Sequence, residues 1–147
     1  MDKLIIREMR EDDIPAVWEI ERASFSAPWF RDSFLIEMFD KQTISKVAVF
    51  QDSVVGYIFA HFERHESSVM KLAVRPDFRR RGVATRLMHE AMGELKHKGC
   101  VFMYLKVRES DNGAKSFYDR LGFKVQMIRK KYYDNPDENA LLMMGRL

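Results

Sequence analysis

The chain has 147 residues, of which 46% are hydrophobic and 32% are charged, and this size and mixture favour one globular domain over a disordered chain. Its formal net charge is only +3 at a pI of about 9.0, so an anionic ligand fits but a dedicated nucleic-acid-binding surface is not expected. The single cysteine excludes an internal disulfide, and no uncharged apolar stretch approaches the roughly 20 residues that cross a bilayer. We therefore expect one domain over residues 1–147 in a cytoplasmic protein without a signal peptide.

The N-terminal part of the chain predicts one strand followed by two helices. Residues 3–9 (KLIIREM) alternate weakly and predict the strand. Asp12 and Asp13 are suited to cap the first helix. Pro28 is expected to interrupt that helix, and a second helix is expected to begin near Arg31.

Three strands follow these helices. Residues 46–50 (KVAVF) and 54–63 (VVGYIFAHFE) flank the polar turn 51–53, which is typical of a β-hairpin. Residues 68–74 (SVMKLAV) predict the third strand.

The second half predicts a helix, a strand, another helix and two final strands. Apolar residues recur at helical spacing from Ala84 to Leu95, and Gly99 ends the pattern. Residues 100–107 (CVFMYLKV) carry few charges, so we expect a central strand covered on both faces, with Cys100 as a buried structural thiol. The remaining elements are a helix over 111–121 and strands over 123–133 and 139–147. The order predicts a mixed α/β fold.

Residues 75–84 (RPDFRRRGVA) form a turn between a predicted strand and a predicted helix. Gly82 allows the backbone to approach a ligand, and the helix N-terminus offers free N–H groups and partial positive charge to a phosphate. The turn is neither a Walker A loop nor a G-x-G-x-x-G motif. The alternative is a solvated charge run, although cations oppose the dipole at a helix N-terminus.

The segment "VRPDFRRRGVATRL" resembles the coenzyme A signature of the GNAT N-acetyltransferases, Arg/Gln-x-x-Gly-x-Gly/Ala, with Arg79, Gly82 and Ala84 at the matching positions. Three further segments follow the order and spacing of the RimI-type members, which acetylate the N-terminal alanine of a ribosomal protein. These segments are "FSAPWFRDSF", "VRESDNGAKSFYDRLGF" and "RKKYYDNPDENALLMM". The resemblance covers essentially the whole chain. It implies a mixed sheet of about seven strands flanked by about four helices, with acetyl-CoA as cosubstrate and no metal.

The resemblance also implies a set of cofactor-binding residues. The backbone of Leu72, Ala73 and Val74 would face the pantetheine and the acetyl carbonyl, while the side chains of these residues can still pack in the core. The pyrophosphate would be held by the turn and the first helical residues, with Arg79 at the signature position. These residues are Arg80, Arg81, Gly82, Val83, Ala84 and Thr85.

Tyr118 falls on the tyrosine that these families use as general acid toward the coenzyme A sulfur. A phenol is protonated at neutral pH and can donate that proton. The competing interpretation is an aromatic side chain packed between helix and sheet. A protein α-amine, with a pKa of about 8 against about 10.4 for lysine, needs less help to become the nucleophile.

Lys106 stands where RimI-type enzymes carry a glutamate. A protonated lysine cannot accept a proton unless its pKa falls by several units. A water relay, deprotonation in solution, or a group from the segment "HFERHESS" could replace the base. The candidates in that segment are His61, Glu63, His65 and Glu66. Lys106 could instead bind an acidic group of the substrate, or simply reach solvent at the end of a strand.

Asp111 stands where these families usually have an asparagine, with Asn112 beside it. An ionised carboxylate accepts but does not donate hydrogen bonds, so a donor role toward pantetheine does not suit it. A cap of the following helix does.

On the substrate side, Tyr132 and Tyr133 occupy the strand connection that covers the incoming peptide in protein N-terminal acetyltransferases. Phe25, Pro28 and Trp29 would form part of the opposite wall, although simple packing of the first two helices is favoured for Phe25. The acidic side chains of Asp134, Asp137 and Glu138 either attract a basic peptide or belong to an ordinary exposed loop.

The leading hypothesis is an acetyl-CoA-dependent acetyltransferase of a protein N-terminus, a ribosomal protein being one candidate. The alternatives are an acetyltransferase of a small amine or lysine side chain, and a non-catalytic acetyl-CoA-binding module. Lys106 allows the latter and Tyr118 argues against it. Nucleic-acid binding through the arginines is the weakest hypothesis, because no aromatic residues are interleaved with them. We expect no direct nucleic-acid or membrane partner, and a monomer or weak dimer.

Overall fold

Seven strands form one mixed sheet in the computed structural model, which describes residues 3–147. The strands are β1 (Leu4–Glu8), β2 (Thr43–Phe50), β3 (Ser53–Glu63), β4 (Glu66–Val74), β5 (Phe102–Arg108), β6 (Lys124–Tyr133) and β7 (Glu138–Arg146). The helices are α1 (Ile14–Ser24), α2 (Arg31–Phe39), α3 (Val83–His97) and α4 (Asn112–Arg120). The strand order is β1-β2-β3-β4-β5-β7-β6, and only the β4–β5 pair is parallel. The predicted mixed α/β fold is confirmed.

Two hydrophobic clusters lie on opposite faces of the sheet. One is built around the buried stripe of α3, whose Leu87, Ala91 and Leu95 follow the predicted helical spacing. The other packs α1 and α2 on β2 and β3 through large side chains such as Phe34 and Phe59, both 0% exposed. The sheet is therefore covered by α1 and α2 on one face and by α3 on the other.

The predicted boundaries differ from the structure mainly around α1. The helix ends at Ser24, four residues before Pro28, because Phe25 already has extended backbone angles. Asp13 occupies the predicted N-cap position, yet its carboxylate binds the Arg7 guanidinium instead of a helix N–H. The turn 51–53 does join β2 and β3 as predicted.

The prediction that β5 is covered on both faces is wrong. Met103, Leu105 and Val107 are buried on one face, whereas Lys106 on the other face is exposed. The reason is that α1 and α2 pack mainly against β2, β3 and β4. This uncovered face of β5 borders the cavities described below. Cys100 is buried as expected, at 3% exposure, and burial raises the pKa of its thiol.

Gly56 of β3 lies where β4 and α3 approach each other closely. A Cβ at this position would lie 3.1 Å from the carbonyl oxygen of Ala73 and 3.1 Å from Cγ1 of Val83. We expect Gly56→Ala to lower the free energy of unfolding by about 1–3 kcal/mol, because the backbone contact cannot yield easily. Denaturant unfolding measures the change. Gly93→Ala on α3, where a Cβ would meet nothing within 4 Å, is the control and should not destabilise; equal effects would contradict the crowding at Gly56.

No helix in residues 3–147 is both long and apolar enough to cross a membrane.

Candidate active site

The strands β4 and β5 separate soon after they begin. They pair only from Glu66 to Ser68 on β4 and from Phe102 to Tyr104 on β5. Farther along, β4 pairs with β3 alone, so the other edge of its last residues, through Val74, faces a gap. Unpaired backbone N–H and C=O groups at such an edge can bind an extended, amide-containing ligand as an added strand would.

The N-terminus of α3 lies at the end of this edge. Gly82 is its N-cap residue, with φ of 81° and no side-chain hydrogen bond to the helix. A Cβ at Gly82 would meet nothing within 4 Å, so the positive φ and not crowding favours glycine here. The first turn contains no acidic residue, which leaves the N–H groups and the helix dipole available to an anion. The helix N-terminus predicted after the turn is therefore present at Gly82, and phosphate binding there stays a prediction.

A cleft of about 910 Å³, here called the turn cleft, opens between the N-terminus of α3 and α4. Nine of the predicted cofactor-binding residues line it. They are Leu72, Ala73, Val74, Arg79, Arg80, Gly82, Val83, Ala84 and Thr85. The opposite wall belongs to α4, and the sequence predicted only Tyr118 there. It consists of Asn112, Gly113, Ala114, Ser116, Phe117, Tyr118 and Arg120.

The three consecutive arginines make different contacts. Arg79 donates from Nε to the carbonyl oxygen of Val74 at 3.0 Å and from Nη2 to Oγ of Ser24 at 3.2 Å, which ties the end of β4 to α1. Arg80 lines the cleft and has a positive φ of 62°. Arg81 does not line the cleft, and its guanidinium lies 5.2 Å from the ring centroid of Phe78. The triplet is therefore not a uniform anion-binding patch.

A second cavity of about 400 Å³, here called the fork cavity, lies between the separated ends of β4 and β5. It is closed by the segment after α1 and by Tyr133 of β6. Four residues line both the turn cleft and the fork cavity. They are Phe25, Leu72, Ala114 and Tyr118. The two cavities thus meet beside Tyr118.

Tyr118 is 8% exposed, and its ring packs on Phe117 and Phe123 with centroid distances of 4.9 and 5.7 Å. Its hydroxyl makes no hydrogen bond to the protein within residues 3–147. Because every buried side-chain N or O atom in that range has a hydrogen-bond partner, the unpaired hydroxyl oxygen of Tyr118 is not itself buried. The hydroxyl is therefore the accessible tip of the side chain. Burial and the charge of Asp111 raise the pKa of the phenol above its ordinary value, so it stays protonated and able to donate.

Basic side chains dominate the strand side of the fork cavity. Lys106 lines it, and its Nζ lies 5.6 Å from the ring centroid of Tyr132. Arg108 also lines it and is engaged by Glu138, with a 3.4 Å contact from Nη1 to Oε1. Asp111 lines the fork cavity and not the turn cleft, and it caps α4 as predicted, accepting from the Ala114 N–H at 3.0 Å.

The histidines and glutamates suggested as substitute bases lie elsewhere. None of His61, Glu63, His65 and Glu66 lines either cavity. Glu66 begins β4, and the six residues from it to Leu72 span roughly 20 Å of extended strand. The structure therefore brings none of these groups to the meeting point of the cavities.

Of the residues predicted to bind the substrate peptide, some line the cavities and others do not. Phe25, for which packing was favoured, lines both cavities, whereas Trp29 lines neither and packs on Phe34 and Phe59 at 5.3 and 5.6 Å. Tyr133 lines the fork cavity. Tyr132 lies outside it, 49% exposed, with its ring perpendicular to that of Tyr133.

A buried ionic network, absent from the predicted set, supports the wall of the fork cavity. Glu21 of α1 is 0% exposed and accepts hydrogen bonds from the Tyr57 hydroxyl and, at 2.9 Å, from the backbone N–H of Trp29. Its Oε2 also lies 3.0 Å from Nζ of Lys71, which is 3.9 Å from the ring centroid of Phe25. The feature of the sequence that could have indicated this network is Lys71, a lysine inside the apolar run of β4.

Within residues 3–147, no group of three or more His, Cys, Asp or Glu side chains is placed to hold a metal ion.

The comparisons with known proteins agree on one class of enzyme, the N-acetyltransferases. The family model "Acetyltransferase (GNAT) family" matches residues 14–123. The ribosomal protein bS18-alanine N-acetyltransferase of Haemophilus ducreyi is 32% identical over 95% of this chain and 97% of its own. The crystal structure of the ribosomal-protein-S18-alanine N-acetyltransferase from Escherichia coli superposes with a TM-score of 0.90 at 25% identity, over 97% of this chain and 93% of its own. A NatC complex bound to Gag peptide and CoA shares the fold, with a TM-score of 0.87 at 19% identity over 99% of both chains.

Proposed function

Because the chain belongs to the GNAT acetyltransferase family, we propose that it transfers an acetyl group from acetyl-CoA to the free N-terminal α-amine of a protein. The observation that carries this proposal is the meeting of the turn cleft and the fork cavity beside Tyr118. The Haemophilus ducreyi and Escherichia coli relatives are named as N-acetyltransferases of an alanine of a ribosomal protein, which makes such a protein the first acceptor to test.

The turn cleft suits coenzyme A. The free edge of β4 from Leu72 to Val74 supplies backbone groups for the amides of pantetheine, and the N-terminus of α3 at Gly82 supplies N–H groups for the pyrophosphate. Arg80 adds positive charge at the same wall. In this proposal, backbone N–H groups of the same edge stabilise the oxyanion that develops on the thioester carbonyl.

The fork cavity supplies the other reactant. An amine that enters it reaches the acetyl group where the cavities join, and direct attack forms the new C–N bond. Tyr118 donates its proton to the sulfur as the C–S bond breaks. Cys100 is buried and lines neither cavity, which agrees with a reaction that needs no covalent enzyme intermediate.

The acceptor class is tested with a matched panel of amines. A short peptide with a free N-terminal alanine, the same peptide with a blocked N-terminus and an internal lysine, and a polyamine are each incubated with the protein and acetyl-CoA. We expect turnover of the first and a rate at least tenfold lower with the other two, because the α-amine is largely deprotonated at a pH where lysine is not. Preferred turnover of lysine or polyamine would contradict the proposal, and acetyl-CoA binding without turnover would indicate a binding module.

A further inference from the structure

The proposed reaction transfers a proton away from the attacking nitrogen, and the strand side of the fork cavity offers no group to accept it. The side chains there that carry charge are the cations of Lys71, Lys106 and Arg108. Among all residues that line the fork cavity, Asp111 is the one carboxylate, and no histidine lines it. The proton acceptor is therefore to be sought on α4.

Asp111 is the N-cap residue of α4, with non-helical backbone angles, and Tyr118 lies near the end of the helix. They are seven residues apart, which is close to two full turns, or roughly 10 Å along the helix axis. Ala114 lies between them, three residues after Asp111 and on the same helix face as Tyr118, and all three line the fork cavity. The small side chain of Ala114 leaves space between a carboxylate at one end and a phenol at the other.

The role of Asp111 as helix cap fixes its carboxylate but occupies only one of the two oxygen atoms. Oδ1 accepts from the Ala114 N–H at 3.0 Å, and the Asp111 N–H donates to the carbonyl oxygen of Arg108 at 3.0 Å. Oδ2 makes no hydrogen bond or salt bridge to any other described residue, and Asp111 is exposed. The charge of Asp111 also contributes to the raised pKa of Tyr118 and of Tyr133, so the carboxylate acts electrostatically on both phenols of the cavity.

We propose that Asp111 is the general base, and that its carboxylate accepts the proton released by the acceptor nitrogen, directly or through one water molecule. The inference rests on the proposed function. As the C–N bond forms, the N–H proton passes to Asp111, and as the C–S bond breaks, the Tyr118 proton passes to the departing sulfur. The proton held by Asp111 then returns to the Tyr118 phenolate through solvent. One proton has moved from nitrogen to sulfur, and both side chains regain their starting states.

Variants that keep the cap but lose the base separate these two roles of Asp111. In Asp111→Asn and Asp111→Ser the side chain still caps α4, yet neither can take up a proton at neutral pH. We expect kcat to fall about 10²-fold or more in both, with the KM for peptide unchanged and with acetyl-CoA binding, measured as the ligand-induced rise in Tm, no weaker than in the wild type. The double variant Asp111→Asn/Lys106→Glu returns a carboxylate to the same cavity from β5, and should recover at least tenfold of the lost kcat.

The Asp111 variants and the wild type are compared on whichever amine the wild-type protein acetylates. The role of Asp111 is therefore tested independently of the acceptor class. Turnover of lysine instead of an α-amine would overturn the proposed function and leave the Asp111 measurement intact. A kcat for Asp111→Asn within twofold of the wild type would overturn the proposal. The expected fall in kcat of Asp111→Asn would also overturn the proposal if the variant no longer bound acetyl-CoA, because the carboxylate would then be needed to bind the cofactor.

Discussion

Replacing Tyr118 by phenylalanine is expected to lower kcat for acetyl transfer by about 10²–10⁴-fold and to leave the affinity for acetyl-CoA nearly unchanged. The substitution removes only the hydroxyl, and that hydroxyl makes no hydrogen bond to the rest of the described chain. The ring contacts with Phe117 and Phe123 remain, so the walls of both cavities are preserved. Steady-state kinetics and acetyl-CoA titration measure the two effects separately.

Tyr104→Phe provides the matched control, because Tyr104 lies on β5 next to the cavities and lines neither of them. Its kcat should stay within about twofold of the wild type. An equally small change in Tyr118→Phe, or a loss of acetyl-CoA binding in that variant, would show that Tyr118 has a packing role and does not act as the acid.

The raised pKa of Tyr118 fixes the direction of its pH dependence. Burial and the Asp111 charge both disfavour the phenolate, so the protonated donor persists to higher pH than the ordinary phenol value of 10.0. The fall of the wild-type kcat at alkaline pH that reflects loss of the Tyr118 proton should therefore lie above pH 10.

Glu21→Ala is expected to lower the free energy of unfolding by about 3–5 kcal/mol. The carboxylate is 0% exposed and is the anionic partner of Lys71, whose side chain is only 14% exposed. Removal of Glu21 leaves that ammonium group next to the ring of Phe25 without a counter-charge, and it leaves the Tyr57 hydroxyl without its acceptor. Both are costly because buried charged and polar groups lose water without gaining a partner.

Glu19→Ala is the control on the same helix. The Glu19 side chain is 68% exposed, and within residues 3–147 its one polar contact is with Arg22 at 3.2 Å, so the change should cost less than about 1 kcal/mol. Chemical denaturation of both variants gives the comparison. If both variants lost the same small free energy of unfolding, the Glu21–Lys71 pair would stabilise the protein no more than a surface ion pair does.

Glu21 also holds one wall of the fork cavity in place. It holds the backbone N–H of Trp29, so it anchors the segment that begins at Phe25, and Phe25 lines both cavities. In a Glu21 variant that remains folded, we expect a higher KM for the peptide with a smaller change in acetyl-CoA affinity, since the turn cleft is built mainly from other elements.

Much of the fold follows from local patterns. The stripe that ends at Leu95, the turn 51–53 and the glycine at position 82 each act through neighbouring residues, and the structure has a helix, a hairpin and a helix N-terminus at these places. The end of α1 could not be predicted in this way, because Phe25 leaves the helix with extended backbone angles and packs beside Lys71 of β4, a residue distant in sequence.

The cavities themselves could not be predicted from local patterns. The separation of β4 from β5 after Ser68 depends on pairing between segments more than thirty residues apart. The link from Glu21 to Tyr57 and Lys71 joins three elements in the same way, and it explains why a lysine is tolerated within the apolar run of β4. For Phe25 and Trp29 the sequence offered two aromatic residues in one segment, and only packing decides which of them faces the cavity.

The claim that the two cavities form one transfer path is tested most directly by a bisubstrate conjugate. Its coenzyme A sulfur is joined through an acetyl group to the α-nitrogen of an alanine peptide, and the matched control is joined to the ε-nitrogen of a lysine in an N-terminally blocked peptide. Because one molecule would occupy the turn cleft and the fork cavity together, we expect the α-linked conjugate to bind at least tenfold more tightly than coenzyme A and than the control. An α-linked conjugate that binds no more tightly than coenzyme A would contradict the path through Tyr118.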